Sequence, residues 1–380
     1  MRVLEVLTYY APHWTGLTTH AVRVAEGLAA RGHEVTVLTT RHTPDLAREE
    51  LVRGVRVVRL TPIGRFSRGM IAPAFPVAAA RLVASHDVVQ MHTPLPEALL
   101  VALVARALGK PVVMTHHGDI VMPKGAANRL VERAAFGILL AAGSLAEAVT
   151  SYSDDYTAHS RLLTRLGKKV ISVPPPVDIP PPDPDAARAW KKELGLEGKR
   201  LIGIAGRWVE EKGFDVLLEA LPSIRAAVPG AHVVYAGEPS VYEDFYERCR
   251  PLLEREKAHV TLLGLVRDAR KMADFYAMCD LFALPSRSDM MALVQVEAML
   301  SGTPVVASDV PGARVVVRET GFGKLTPPGD APALSRTIVE ALLARDVLQP
   351  DPALVRRLFD AEATLDRYEA ILSGTLAGPS

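Results

Sequence analysis

Two stretches of this sequence combine residue types that could do chemistry. In GRWVEEKGFDVLLEAL, Arg207 and Lys212 lie in a loop between the apolar strand Leu201 to Ala205 and a helix that opens at Gly213. Two cations, a flexible backbone and the positive end of a helix dipole at the carboxyl edge of a strand make an anion site suited to a diphosphate. The same pair also reads as solvated surface charge, where most lysines and arginines are found. In LPSRSDMMALVQVEAMLSGTPVVAS, Asp289 follows a strand at Leu281 to Leu284, and Glu297 lies eight residues later in the helix that the loop opens. Glu297 has Val294, Val296, Ala298 and Leu300 around it, so its carboxylate calls for a specific hydroxyl or amide partner. Backbone amides at the start of that helix, over Met291, Ala292, Leu293 and Val294, would face an anion. The alternative for the pair is a helix N-terminal charge at Asp289 and an exposed glutamate at 297.

Both stretches need strands that deliver their loops to one edge. The first forty residues read as strand Val3 to Leu7, an amphipathic helix from about Thr18 to Arg31 resting on Val22, Ala25 and Leu28, a stop at Gly32, and strand Glu34 to Thr39. Further apolar strands fall at Val55 to Leu60, Asp87 to Met91 and Pro111 to Thr115, with a helix at Glu97 to Leu108. Apolar strands alternating with helices predict a parallel sheet covered on both faces. The run VPPPVDIPPPDP at 173–184 excludes helix and sheet interior and marks a domain boundary. Beyond it the alternation restarts and continues from Arg200 to Ser308. The predicted fold class is α/β, with two doubly wound Rossmann-like domains facing across a cleft at the carboxyl ends of their strands. Neither domain has GxGxxG after its first strand, which argues against a dinucleotide oxidoreductase.

Length and composition agree with two domains. The chain has 380 residues, 49% hydrophobic and 23% charged, the profile of a globular protein with a large interior. Apolar stretches such as Phe136 to Ala146 end before the roughly 18 residues a membrane span needs. Glu5 inside the first apolar run argues against a signal peptide. Cys249 and Cys279 lack metal-ligand or CxxC spacing and read as reduced thiols, giving a cytoplasmic expectation. Residues 1–178 carry 20 Lys and Arg against 14 Asp and Glu (+6), while residues 179–380 carry 24 against 29 (−5). No nucleic-acid partner is expected.

The chain resembles the family 4 glycosyltransferases of the GT-B fold. The resemblance runs from YYAPHWTGLTTHAVRVAEGLAARGHEVTVLT through HTPLPEALL, THHGDIV and VPPPVD to GRWVEEKG, LLGLV, the Asp289 to Glu297 segment and TGFGKLTPPGD. HTPLPEALL with THHGDIV looks most like bacterial members that elongate surface polysaccharides or glycolipids. The resemblance implies an N-terminal acceptor-side domain over 1–176, rejoined by a helix at about 360–376, and a donor-side domain over 177–359. It also implies that Arg207 and Lys212 grip the donor diphosphate and that Gly16 brings its backbone to the same phosphates. Gly264 and Val266 would lie at the nucleobase, Asp289 at hydroxyls of the transferred sugar, and Glu297 at the ribose. His117 would lie over the donor sugar as a catalytic residue, closely followed by Asp119. Adjacent residues at a strand end point oppositely, so His116 is read as a buried structural histidine. Three departures are visible: Asp289 is a methylene shorter than the usual glutamate, Ala292 replaces a glycine, and Thr15 with Thr18 replaces a glycine and a glutamate around Gly16.

The implied reaction is retaining transfer of a hexose from a UDP- or GDP-linked sugar to a glycan or lipid-linked acceptor. Cations and helix N-termini can stabilise the leaving diphosphate without a metal, and no DxD-like pair at a strand end points to Mg²⁺. Retention without an enzymic nucleophile implies front-face attack, with the departing phosphate accepting the acceptor's proton. No cofactor beyond the nucleotide-sugar donor is expected. A sugar nucleotide 2-epimerase and a non-catalytic sugar-nucleotide-binding subunit are the rival readings. In PIGRFSRGMIAPAFP, Arg65 and Arg68 alternate with Phe66, Met70 and Ile71, a pattern suited to peripheral docking on an anionic membrane or to a solvated acceptor loop.

Overall fold

The computed structural model describes residues 1–66, 69–120, 125–238 and 243–375. The chain forms two compact units, Met1–Pro176 with Glu362–Ser380 and Val177–Ala361, divided inside the proline run.

Unit 1 contains β1 (Arg2–Val6), α1 (Gly16–Ala30), β2 (Glu34–Thr40), β3 (Glu49–Val52), β4 (Val55–Leu60), β5 (Gly64–Phe66), β6 (Gly69–Ile71) and α2 (Phe75–Ser85). It continues with β7 (Val88–Thr93), α3 (Ala98–Ala107), β8 (Val112–His116), α4 (Ala126–Leu145), β9 (Ala148–Ser151), α5 (Asp154–His159), α6 (Leu163–Leu166) and β10 (Val170–Ser172). Eight strands form one sheet in the order β10-β9-β8-β7-β1-β2-β4-β3. All neighbours run parallel except β3, which is antiparallel to β4. Sequence periodicity gives no hint of β3, because its side chains alternate between exposed and half-buried. It pairs through a two-residue turn in which Arg53 and Gly54 both take positive φ, the geometry that matches strand twist in a tight hairpin. β7, β8 and β9 are buried at every position, hence their unbroken apolar character.

Unit 2 opens with α7 (Pro184–Glu193) and then alternates: β11 (Arg200–Ala205), α8 (Phe214–Ala227), β12 (Ala231–Ala236), α9 (Glu243–Glu256), β13 (Val260–Gly264), α10 (Ala269–Met278), β14 (Leu281–Leu284), α11 (Leu293–Leu300). It closes with β15 (Val305–Ser308), α12 (Ala313–Thr320), β16 (Gly323–Thr326), α13 (Ala331–Leu343) and α14 (Pro352–Leu358). Its six strands are all parallel in the order β13-β12-β11-β14-β15-β16. Strand order reverses between β11 and β14, so the loops after these two strands flank a topological switch point, where doubly wound sheets bind ligands. The last helix, α15 (Ala361–Leu372), returns to unit 1. There Tyr368 is fully buried in the core, and Arg31 pairs with Glu362, Asp366 and Glu369.

Candidate functional site

In unit 2 the loop after β11 is anchored by its aromatic residue. Trp208 is fully buried, edge-on to Phe214 with ring centroids 4.3 Å apart and to Tyr235 at 5.1 Å, while the Tyr235 hydroxyl donates to the Gly206 carbonyl at 2.6 Å. This fixes the backbone on both sides of Arg207, which is half-buried. Gly213 begins α8 in the left-handed region at φ +67°. A Cβ there would lie 2.0 Å from the Pro285 carbonyl oxygen, so only glycine lets the loops after β11 and β14 approach this closely.

That approach joins two of the sequence-derived residues. Lys212 Nζ donates to Asp289 Oδ2 at 2.6 Å, with the side chains 25% and 11% exposed, and Ser286 Oγ is 3.4 Å from the same oxygen. The backbone of Asp289 bridges to Gly312, where φ is +82° and a Cβ would meet the Met290 carbonyl at 1.9 Å. Asp289 is thus held between the loops after β14 and β15. Met291, Ala292 and Leu293 are buried and Val294 half-buried; Ala292 caps α11 without a side-chain bond. Glu297 Oε2 accepts from the Tyr276 hydroxyl at 2.9 Å, the kind of partner its apolar surroundings require. Gly264 and Val266 sit at and just beyond the end of β13, on the other flank of β11; Gly264 takes φ +72° and its carbonyl accepts from the Gly237 amide at 2.9 Å. Sequence reasoning missed Arg287. It forks onto Asp215 at 2.8 and 2.7 Å and donates to the Glu210 carbonyl at 2.8 Å, tying the loop after β14 to the start of α8. An arginine beside Asp289 offered only a loop cation to the eye.

In unit 1, Gly16 is the first residue of α1, exposed, with open space where a side chain would stand. Thr15 caps the helix by accepting from the Thr18 amide at 3.1 Å. The histidine that ends β8 and the one that follows it diverge. His116 is fully buried between Thr93 Oγ1 at 3.0 Å and Asp119 Oδ1 at 3.1 Å. Burial works to raise the Asp119 carboxyl, but contacts from His116, Ser160 and the Arg161 amide outweigh it and hold the group below the usual range. Half-buried His117 turns the other way, with Nε2 2.9 Å from His92 Nδ1 and Nδ1 2.5 Å from the Tyr152 hydroxyl. His92 Nε2 in turn lies 3.3 Å from Glu5 Oε2, and both residues are fully buried. His20 of α1 packs in the same group, stacked on Tyr152. Burial, reinforced by neighbouring histidines, pushes His117 and His20 well below the ordinary imidazole value, so both rings are neutral at pH 7. Glu5 moves up, chiefly through burial. Sequence reasoning had noted Glu5 only as a charge inside an apolar run; its neighbours become visible once β1 and β7 pair.

Comparison with known proteins agrees with this architecture. Residues 14–179 match the family described as Glycosyltransferase Family 4, and residues 199–344 that described as Glycosyl transferases group 1. A phosphatidyl-myo-inositol mannosyltransferase of Mycobacterium leprae is 29% identical over 355 residues, covering 92% of this chain and 89% of the relative. A GDP-mannose-dependent alpha-(1-6)-phosphatidylinositol monomannoside mannosyltransferase of Mycolicibacterium smegmatis is 29% identical over 349 residues, 88% of this chain and 81% of that one. Among solved structures, Anabaena HepE in complex with UDP and glucose superposes with a TM-score of 0.80 at 21% identity, over 98% of this chain and 100% of that one. With both units matched and the two-sheet fold shared, the chain belongs to the family 4 glycosyltransferases and has the GT-B fold.

Proposed function

We propose that the protein transfers a hexose, with retention, from a UDP- or GDP-linked donor to a lipid-linked glycan or glycolipid at a membrane face. The reading is carried by the Lys212–Asp289 pair at the β11/β14 switch point of unit 2, next to Arg207 and the Tyr276-held Glu297. Cations for a diphosphate and carboxylates for sugar and ribose hydroxyls thereby share one strand edge. In this scheme Arg207, Lys212 and the Gly16 backbone bind the diphosphate, and Asp289 releases Lys212 to it as the sugar hydroxyls arrive. Gly264 and Val266 take the nucleobase and Glu297 the ribose. The amides over Met291, Ala292, Leu293 and Val294 face the leaving phosphates. Charge on the leaving group is met by these groups without a metal. His117 is assigned beside the donor sugar. Its ring is neutral with both nitrogens engaged, which suits a route in which the departing phosphate, not a histidine, accepts the acceptor's proton.

Unit 1 carries the acceptor side of the proposal. Ile63, Ile71 and Val77 are 76%, 49% and 75% exposed, and an apolar pocket of about 350 Å³ opens between Met70, Ile71, Phe75, Pro76, Pro96 and Leu100. Arg68 and the side chains of Arg65 and Phe66 lie outside the described residues. An apolar ridge flanked by basic sequence suits peripheral docking on anionic lipid. Among the described residues no helix is long and apolar enough to cross a membrane.

The names of the relatives put GDP-mannose first among donors to assay and phosphatidylinositol-containing vesicles first among acceptors. Release of nucleoside diphosphate only when acceptor is present supports transfer. Inversion at C2 of the donor sugar without acceptor and without net loss of nucleoside diphosphate points to an epimerase, and binding with neither release nor inversion points to a non-catalytic subunit.

A further inference from the structure

The histidine group in unit 1 has a feature that sugar transfer does not explain. His20 is fully buried, and neither ring nitrogen has a hydrogen-bond partner. Burying an unsatisfied polar group costs about 1–3 kcal/mol, so a bare imidazole at this depth calls for an occupant. His20, His92 and His117 each offer one nitrogen within 4.8 Å of the other two. Their ring centroids are 5.0, 5.1 and 6.0 Å apart. Three imidazoles bound at about 2.1 Å around one tetrahedral ion have centroids about 5 Å apart. We propose that His20, His92 and His117 bind a divalent transition-metal ion of the zinc class.

The surroundings have the form of an outer shell. With His92 Nδ1 and His117 Nε2 turned inward, His117 Nδ1–H donates to the Tyr152 oxygen, while His92 Nε2 lies 3.3 Å from Glu5 Oε2, within ion-pair distance but without a formed hydrogen bond. Metal-bound histidines commonly donate their second N–H to a carboxylate or another oxygen in this way, which fixes tautomer and ring orientation. The dication also accounts for Glu5. A carboxylate with no exposure and both oxygens lacking a hydrogen bond is otherwise a poorly compensated charge in the middle of β1. Three imidazole nitrogens select zinc, cobalt, nickel or copper over magnesium or calcium, which prefer oxygen ligands. The ion would fasten β1, α1, β7 and the residue after β8 at one edge of the sheet. Its role is to hold these segments and to fix the orientation of His117, and it takes no part in the diphosphate chemistry assigned to Arg207 and Lys212.

The test uses the full chain with any affinity tag removed, loaded with excess Zn²⁺, desalted and analysed by elemental mass spectrometry. About one zinc per chain is expected, with visible absorption bands when Co²⁺ replaces it and a lower melting temperature after treatment with dipicolinate. His20→Ala and His20→Gln should each lose the ion, and Glu5→Gln should weaken zinc binding by about 10- to 100-fold. No zinc retained by the wild-type chain, or equal retention in both His20 variants, overturns the proposal. Should neither His20 variant fold, unchanged zinc affinity in Glu5→Gln overturns it and the stated loss supports it.

Discussion

Lys212 cannot bind a phosphate and hold Asp289 at full strength together, so Asp289→Asn should tighten the binding of bare nucleoside diphosphate. The contact is a 2.6 Å charge-assisted bond between side chains 25% and 11% exposed. A bond of this kind is worth about 1.5–3 kcal/mol, and its partial exposure places it in the lower half of that range. Asparagine keeps an oxygen for Lys212 but removes the charge, so about half the contact should be released to the incoming diphosphate. That corresponds to about a 3- to 7-fold gain in affinity for GDP or UDP. Lys212→Met should do the opposite, losing the phosphate contact and leaving the carboxylate facing the anion, for a loss of about 10-fold or more. Arg207→Ala, which leaves the pair intact, should weaken both nucleotides by about 1.5–3 kcal/mol. The double variant Lys212→Met, Asp289→Asn should bind better than Lys212→Met alone, because the unpaired carboxylate is gone; this is the non-additivity a double-mutant cycle measures. Calorimetric titration of all four variants with GDP and UDP at low salt, beside transfer rates, supplies the numbers. Asp289→Asn should still lower kcat, since its charge is assigned to sugar hydroxyls. If it instead weakens bare GDP and UDP as much as Lys212→Met does, the pair preorganises the site and the competition argument fails.

His117→Ala should lower kcat strongly while nucleotide affinity stays near wild type; equal losses in both, or damage confined to His116→Ala, would show that His117 is misassigned. Because His20 and His117 are held neutral in the fold, an unfolded chain takes up protons below about pH 6.5 that the folded one refuses. Stability of unit 1 should then fall as pH drops from 6.5 towards the depressed folded values, by up to about 1.4 kcal/mol per pH unit for each ring. Hydrogen exchange of β1, β7 and β8 peptides in chelated protein, corrected for intrinsic rates, should show this slope, and His20→Phe should flatten it; an identical slope in the variant would contradict the argument. Sedimentation with liposomes should show binding that requires anionic lipid and falls as salt rises, reduced further in the Arg65→Glu, Arg68→Glu variant. Equal binding to neutral and anionic liposomes, or none to either, would favour a soluble acceptor.

The sequence by itself determined the α/β class, because buried parallel strands must be apolar throughout and the helices between them amphipathic, and both periods are legible without a partner. It also showed Arg207, Lys212, Asp289 and Glu297 as residues worth a chemical reading, since charges in strand-end loops and in an apolar helix are locally unusual. Short or half-exposed elements left too weak a pattern: β3 alternates between exposed and half-buried, and β16 and α12 to α14 extend the alternation beyond Ser308. Tertiary structure alone decided who meets whom. Lys212 and Asp289 are 77 residues apart and touch because strand order reverses between β11 and β14 and because Gly213 and Gly312 permit backbone contacts that any side chain would block. Glu5, His20, His92 and His117 lie on four separate segments, and only the pairing of β1 with β7 and of β7 with β8, with α1 packed across them, gathers them. Periodicity reports which face of a segment is buried, but the neighbours of a buried polar group follow from strand order, which is set by how the whole chain closes its core.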